Sequence, residues 1–269
     1  MAYTAADVKK LREETDAPMM ECKAALDEAD GNLERAKEIL REKGKAAAAK
    51  RVGRSTSAGV VAFAASPDNL VVGGVVVESE TDFVARNEDF IAIAQTIAEF
   101  VRDGESTDGA KIKEAVESAV AKIRENIKVT KAVRIAEGKP VLTYVHHDRT
   151  KGAAVVIDGA GNDELKKVAI QVVSLPPEVL SKDQLSAEKI AKQTEIEVQR
   201  AINEGKDPKM AENIAKGRVN KEFIKEAVLL EQPFYLDPKK TVAQYVAEVG
   251  KGASVVDFAY LAIGQGEEE

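Results

Sequence analysis

The chain repeats itself, and that self-similarity narrows the fold more than any other feature. The stretch "NEDFIAIAQTIAEF" from Asn87 aligns with "NDELKKVAIQVVSL" from Asn162 at an offset of 75. Asn87 meets Asn162, Phe90 meets Leu165, Ile93 meets Val168, Ala94 meets Ala169 and Ile97 meets Val172. These are the i, i+3, i+4, i+7 positions of a buried helix face. Each helix follows a candidate hairpin: "GVVAFAA" and "LVVGGVVVE" in the first half, "PVLTYVH" and "AAVVI" in the second. Beyond the helices the chain returns to strand pattern at "IKVTKAVRIAEG" and "VVDFAYLAIGQG". There Val133 meets Leu261, Ile135 meets Ile263 and Gly138 meets Gly266, at an offset of 128. Each half reads β-β-α-α-β, an α+β unit with helices on an antiparallel sheet.

Two departures from the repeat mark additions. The offset grows from 75 to 128, so the second half holds about fifty extra residues, between Pro177 and Pro233. Two helical patterns broken by "GKDP" make this an inserted antiparallel helical hairpin, spanning about residues 181–230. Its stripes are thin: Ile190, Ala191, Thr194, Val198 and Ala201 on one helix, Met210, Ile214 and Gly217 on the other. Such a hairpin needs a further surface, either a partner or a second copy in a homodimer.

The second departure is shorter. Val77 to Asn87 is ten positions, whereas the equivalent Ile157 to Asn162 is five, turned by the minimal "DGAG". The five added residues bring in Thr81, Asp82, Phe83 and Val84. Phe83 could fold back over the sheet edge. The sister half closes without these residues, which favours a functional loop.

Ahead of the repeat lie three short helical patterns. Thr4 is an N-cap candidate before Val8 and Leu11. Pro18 opens a segment with Met19, Cys22, Leu26 and Ala29 at helical spacing. Leu33, Ala36, Ile39 and Leu40 stripe the third, and Gly44 fits a C-cap. This bundle resembles the ubiquitin-associated type of three-helix domain, which binds partners. The expected organisation is a partner-docking bundle over 1–45, a basic solvated linker over 46–58, a first core half over 59–138 and a second over 139–269. Lys43, Lys45, Lys50, Arg51 and Arg54 could touch RNA, but no aromatic residues interleave with them to stack bases.

Composition removes several classes. A net charge of −7 argues against a dedicated nucleic-acid binder. No apolar run approaches a membrane span, and "MAYTAADVKKLREE" lacks a signal peptide's apolar core. With one cysteine no internal disulfide forms. A cytoplasmic location is expected.

Catalytic candidates are few. His146 and His147 are adjacent; strand neighbours point to opposite faces, which keeps them out of one site, and they read as a strand-end pair beside the turn "DRTKG". Cys22 occupies a core position. "GESTDGAKI" from Gly104 misses a phosphate loop, because Ala110 separates the second glycine from Lys111 and Ile112 follows it. No enzyme, metal or cofactor is expected.

"LREETDAPMMECKAAL" and "ETDFVARNEDF" resemble the two signature regions of the bacterial translation elongation factor Ts family. The resemblance runs over nearly the whole chain, through the duplicated core, the hairpin and "QPFYLDPKKTVAQYV". It implies a guanine-nucleotide exchange factor whose partner is elongation factor Tu, GDP-bound and nucleotide-free. It implies that Arg12, Met19 and Met20 dock on the GTPase domain. It implies that Asp82 and Phe83, between Thr81 and Val84, enter beside the magnesium and nucleotide site. Gln171, in the second half, is implied in contact with a more distal domain. Pro18 stands where many members have glycine, Glu78 and Ser79 where many have asparagine and cysteine, and Ile170 and Gln171 where many have methionine, then histidine or glutamine. The chain stops at "GQGEEE", where longer members continue into another helix. Two other classes compete: an adaptor using the first bundle alone, and an RNA-binding accessory factor using the basic linker.

Overall fold

The computed structural model describes residues 3–15, 17–159 and 162–264. The chain forms two compact units, one of residues 1–64, 73–134 and 261–269, the other of residues 65–72 and 135–260.

In the first unit, α1 (Ala5–Thr15), α2 (Met19–Glu28) and α3 (Leu33–Ala49) form the bundle. Thr4 caps α1 reciprocally: its N–H donates to Asp7 Oδ2 at 2.8 Å, and Asp7 N–H donates to Thr4 Oγ1 at 3.4 Å. Leu11, Cys22, Ala25, Leu26, Ala36 and Ile39 fill the centre. Burial pushes the Cys22 thiol up, as for an inert core residue. One expectation is corrected. Gly44 does not end the third helix, which continues four residues into the expected linker. A Cβ at Gly44 would lie 3.1 Å from Ala121 Cβ, so glycine there lets α3 closely approach the helix that carries Ala121.

Strands β1 (Ala58–Ala65), β2 (Val72–Ser79) and β3 (Ile127–Ile135) form a sheet in the order β1-β2-β3. The one-turn helix α4 (Asp82–Ala85) leads into α5 (Glu88–Arg102) and α6 (Ala110–Ile123). β2 is buried along its whole length. Phe90, Ala94, Ile97, Ala98 and Val101 of α5 pack with Val60, Ala62, Val75 and Val77 of the sheet. At Gly73 a Cβ would fall 2.3 Å from the Ala98 carbonyl oxygen, so α5 backbone rests directly on β2. Val61 and Val76 pack with Leu261 in a separate cluster.

In the second unit, β4 (Val141–Val145) pairs antiparallel with β5 (Lys151–Asp158), Val141 opposite Val156 and Val145 opposite Gly152. A 3-10 turn over Asp163–Leu165 opens α7 (Lys166–Ser174). The repeat extends to capping: Asn87 Oδ1 accepts from Asp89 N–H at 2.8 Å, and Asn162 Oδ1 from Leu165 N–H at 3.1 Å. Ala160 and Gly161 of the minimal turn lie outside the described residues.

The inserted hairpin is α8 (Ala187–Asn203) and α9 (Pro208–Arg218), continued through a π turn (Val219–Phe223) into α10 (Ile224–Ala227). Its seam differs from the expected one. Met210 and Gly217 are exposed, and Ala211, Ala215 and Val219 are buried instead. The π turn lengthens the next step to five residues, which turns Ile224 towards Leu185, Val219 and Val228. At the base, Glu178 and Val179 N–H groups donate to the Ala227 carbonyl, and Leu229 N–H donates to the Val179 carbonyl.

A small hairpin unforeseen in the sequence, β6 (Pro233–Phe234) and β7 (Asp237–Thr241), precedes α11 (Val242–Val249) and β8 (Ser254–Ala262). Phe234 stacks on Tyr245 with ring centroids 3.8 Å apart. The second sheet has the order β4-β5-β8. No helix of the described residues is long and apolar enough to cross a membrane.

Candidate functional site

The residues added to the first half form a capped turn of helix. Thr81 is in extended backbone, and its Oγ1 accepts from Val84 N–H at 3.4 Å, as an N-cap does. Ala85 N–H donates to the Thr81 carbonyl and Arg86 N–H to the Asp82 carbonyl. Asn87 N–H closes the turn on the Val84 carbonyl at 2.9 Å and Asn87 then caps α5. Within the turn the side chains divide by role. Val84 and Ala85 pack against the core of the first half. Phe83 faces outward with 83% of its surface exposed, the most exposed large apolar side chain among the described residues. It does not cover the sheet edge. Asp82 Oδ2 pairs with Arg86 Nη2 at 2.9 Å, both exposed.

The turn is mounted from beneath. Glu125 accepts both from Thr81 N–H (3.0 Å) and from Thr81 Oγ1 (2.6 Å). Asn126 N–H donates to Glu80 Oε1 at 2.6 Å, and Asn126 Nδ2 donates to the Arg54 carbonyl at 2.6 Å. The first of these bonds, helped by Arg54, holds the Glu80 carboxyl below its ordinary value. Sequence reasoning missed Glu125 and Asn126. Their only signal is a polar "REN" between a helix and a strand, and their partners lie more than forty residues away.

On the bundle, Met19 and Met20 are 53% and 74% exposed at the start of α2, and Arg12 is exposed on α1. Neighbouring Glu21 pairs with the Arg124 guanidinium.

Gln171 is a correction. It is only 1% exposed and cannot meet a partner directly. Its Nε2 donates to Gln232 Oε1 at 2.9 Å, and its Oε1 accepts from Tyr235 N–H at 2.8 Å. Gln232 in turn donates to the Leu175 and Glu226 carbonyls. This buried pair holds the β6–β7 turn, at whose tip Tyr235 and Leu236 are exposed.

The histidines lie just past the end of β4 at Val145, as a strand-end pair beside the turn, but the alternation of a strand does not separate them: the two rings lie 4.4 Å apart. Tyr144 Oη is 3.2 Å from His146 Nδ1. Among the described residues no three His, Cys, Asp or Glu side chains converge to hold a metal ion. Of the basic run, Lys43 pairs with Glu28 and Arg54 with Glu80, while the Lys45 side chain lies outside the described part.

A family model described as elongation factor TS matches residues 80–265. Elongation factor Ts of Clostridioides difficile (strain 630) is 40% identical over 283 residues, covering 98% of this chain and 93% of the relative. That of Vibrio cholerae serotype O1 (strain ATCC 39315) is 40% identical over 272 residues, covering 100% and 94%. That of Cellvibrio japonicus is 40% identical over 272 residues, covering 99% and 92%. A family model over most of the chain and relatives at 40% identity over nearly its whole length show that the chain belongs to the elongation factor Ts family of translation elongation factors.

Proposed function

We propose that the chain is a guanine-nucleotide exchange factor for elongation factor Tu, and that it promotes GDP release by inserting the Thr81–Val84 turn beside the magnesium and nucleotide site. One observation supports the turn's role above the rest. Five residues that the duplicated core does not need build a capped helical turn whose single large apolar side chain, Phe83, is 83% exposed. Burying that ring in a partner is worth roughly 1.5–3 kcal/mol. Asp82 stands one residue earlier and carries negative charge towards bound phosphate and magnesium.

The work is a shift of binding equilibrium, with no bond made or broken. A factor that speeds GDP loss binds nucleotide-free Tu more tightly than GDP-bound Tu. By linkage, GDP weakens factor binding by the same ratio. In this reading the bundle over 1–45 is the docking domain, with Met19, Met20 and Arg12 on the GTPase domain of Tu. The second core half makes a separate contact through the turn that Gln171 supports, at Tyr235 and Leu236. The protein acts in the cytoplasm.

The test is release of fluorescent GDP from cognate Tu. Acceleration by substoichiometric protein supports exchange. An unchanged release rate refutes it.

A further inference from the structure

Every polar group of Thr81 is held. Its N–H and hydroxyl both donate to the Glu125 carboxylate, and its carbonyl accepts from Ser79 Oγ at 3.1 Å and from Ala85 N–H at 3.3 Å. Thr81 is the N-cap of α4, so the orientation of this one residue sets the axis of the turn and the direction of Phe83. Glu125 is itself fixed on both sides. Arg124 adopts a left-handed backbone, φ 67°, at the end of α6, and its guanidinium pairs with Glu21 of α2. Asn126 ties the strand start to Glu80 and to the Arg54 carbonyl. An arginine in left-handed backbone where glycine is unstrained is sustained by the contacts around it. Residues 124–126 thus touch α2, the segment before β1 and the base of the loop at once.

We propose that Glu125 is a positioning residue for nucleotide exchange: it pre-orders the α4 turn so that Phe83 meets the partner without first paying the entropy of ordering a loop. The proposal rests on the Thr81–Val84 turn being the exchange element. Glu125 touches neither nucleotide nor magnesium in this scheme and acts only through Thr81. An amide in its place retains the geometry, since its oxygen accepts from Thr81 N–H and its NH₂ donates to Thr81 Oγ1. Alanine removes both bonds.

The experiment measures fluorescent-GDP release from cognate Tu over a range of factor concentrations, giving the maximal rate and the half-saturating concentration. The full-length variants are Glu125→Ala, Glu125→Gln, Thr81→Val, Phe83→Ala and the double variant Glu125→Ala/Phe83→Ala. Amide exchange at residues 82–86 is followed in each. The expected result for Glu125→Ala is a maximal rate about tenfold lower, the factor set by losing one to two net hydrogen bonds, with faster amide exchange confined to the turn. Glu125→Gln stays within about twofold of wild type in rate and in amide exchange, and Thr81→Val, which removes both the hydroxyl's bond to Glu125 and the cap bond from Val84 N–H, falls about as far as Glu125→Ala. In the Phe83→Ala background Glu125→Ala adds no further loss, because the ring it positions is gone. A general structural role would lower the double variant further and would overturn the proposal. So would Glu125→Ala exchanging at the wild-type rate while Phe83→Ala is impaired, an outcome that leaves the loop reading intact. Wild-type exchange by Phe83→Ala would overturn the loop reading and this proposal with it.

Discussion

At the scale of single residues, Phe83 and Val84 show how one turn serves two masters. Val84 packs inward and fastens the turn, and Phe83 stays outside. Because Phe83 buries almost nothing in the free protein, its removal is expected to spare stability and to cost function. Phe83→Ala should lower the rate of GDP release by about 10- to 100-fold, the range that corresponds to losing one buried aromatic contact. The thermal midpoint should move by less than about 2 °C. A parallel drop in midpoint and rate would mean that the ring packs on its own core. Asp82→Ala should cost less, since its pair with Arg86 is exposed, and its effect should vary with magnesium concentration if the metal site is its target. The exposure of Phe83 was legible in the sequence, because the sister half turns the same corner in five fewer residues. The clamp beneath it was not. Glu125 and Thr81 are 44 residues apart, and a carboxylate between a helix and a strand reads as solvated until the two segments meet.

At the scale of elements, periodicity carried most of the assignment and failed where phase or composition hid the packing. The α8–α9 hairpin was legible as two helices, but the π turn at Val219–Phe223 shifts the phase, and Met210 and Gly217 fall outside the seam. Its base also belongs to the core, since Leu229 is fully buried with Val168, Val172 and Tyr245. Deleting residues 181–230 whole would therefore unfold the second unit. Replacing only residues 198–217 with a short glycine–serine link keeps Leu185, Ile190, Val219 and Ile224, and should leave the circular dichroism transition of the remainder and the GDP-release rate within about twofold of the full chain. A molten transition would show that the distal hairpin holds the base together. The alanine-rich run after Leu40 hid a different contact: α3 continues against α6 through Gly44. Gly44→Val improves helix propensity yet forces branched carbons at Ala121, and should destabilise the first unit by about 1–3 kcal/mol in urea. Tyr245 supplies a pH test. Burial, with Glu164 nearby, pushes its pKa from 10.0 up to about 12. A raised pKa means that the folded state favours the neutral phenol, so the stabilisation is complete below pH 10 and is lost as pH rises from 10 to 12. Between pH 9 and pH 12 wild type should lose about 2–3 kcal/mol more than Tyr245→Phe, read from urea midpoints of the second unit. Equal alkaline losses would show that Tyr245 titrates normally.

At the scale of the whole molecule, two α+β halves share one β-β-α-α-β plan and differ by what each adds to it. The first carries a five-residue exposed turn, the second about fifty residues of helical hairpin. The shared parts, from the asparagine caps to the buried faces of α5 and α7, are what a core requires. The added parts are where function is expected. The central claim is that this chain empties the nucleotide site of a GTPase. Cognate elongation factor Tu is loaded with fluorescent GDP, chased with excess unlabelled GDP, and mixed with the full chain at about one-twentieth of its concentration. The account predicts that release accelerates and that each molecule of the chain turns over many molecules of Tu, with nearly all of that acceleration lost in Phe83→Ala. Release at the spontaneous rate, with wild-type chain folded and present throughout, would contradict it.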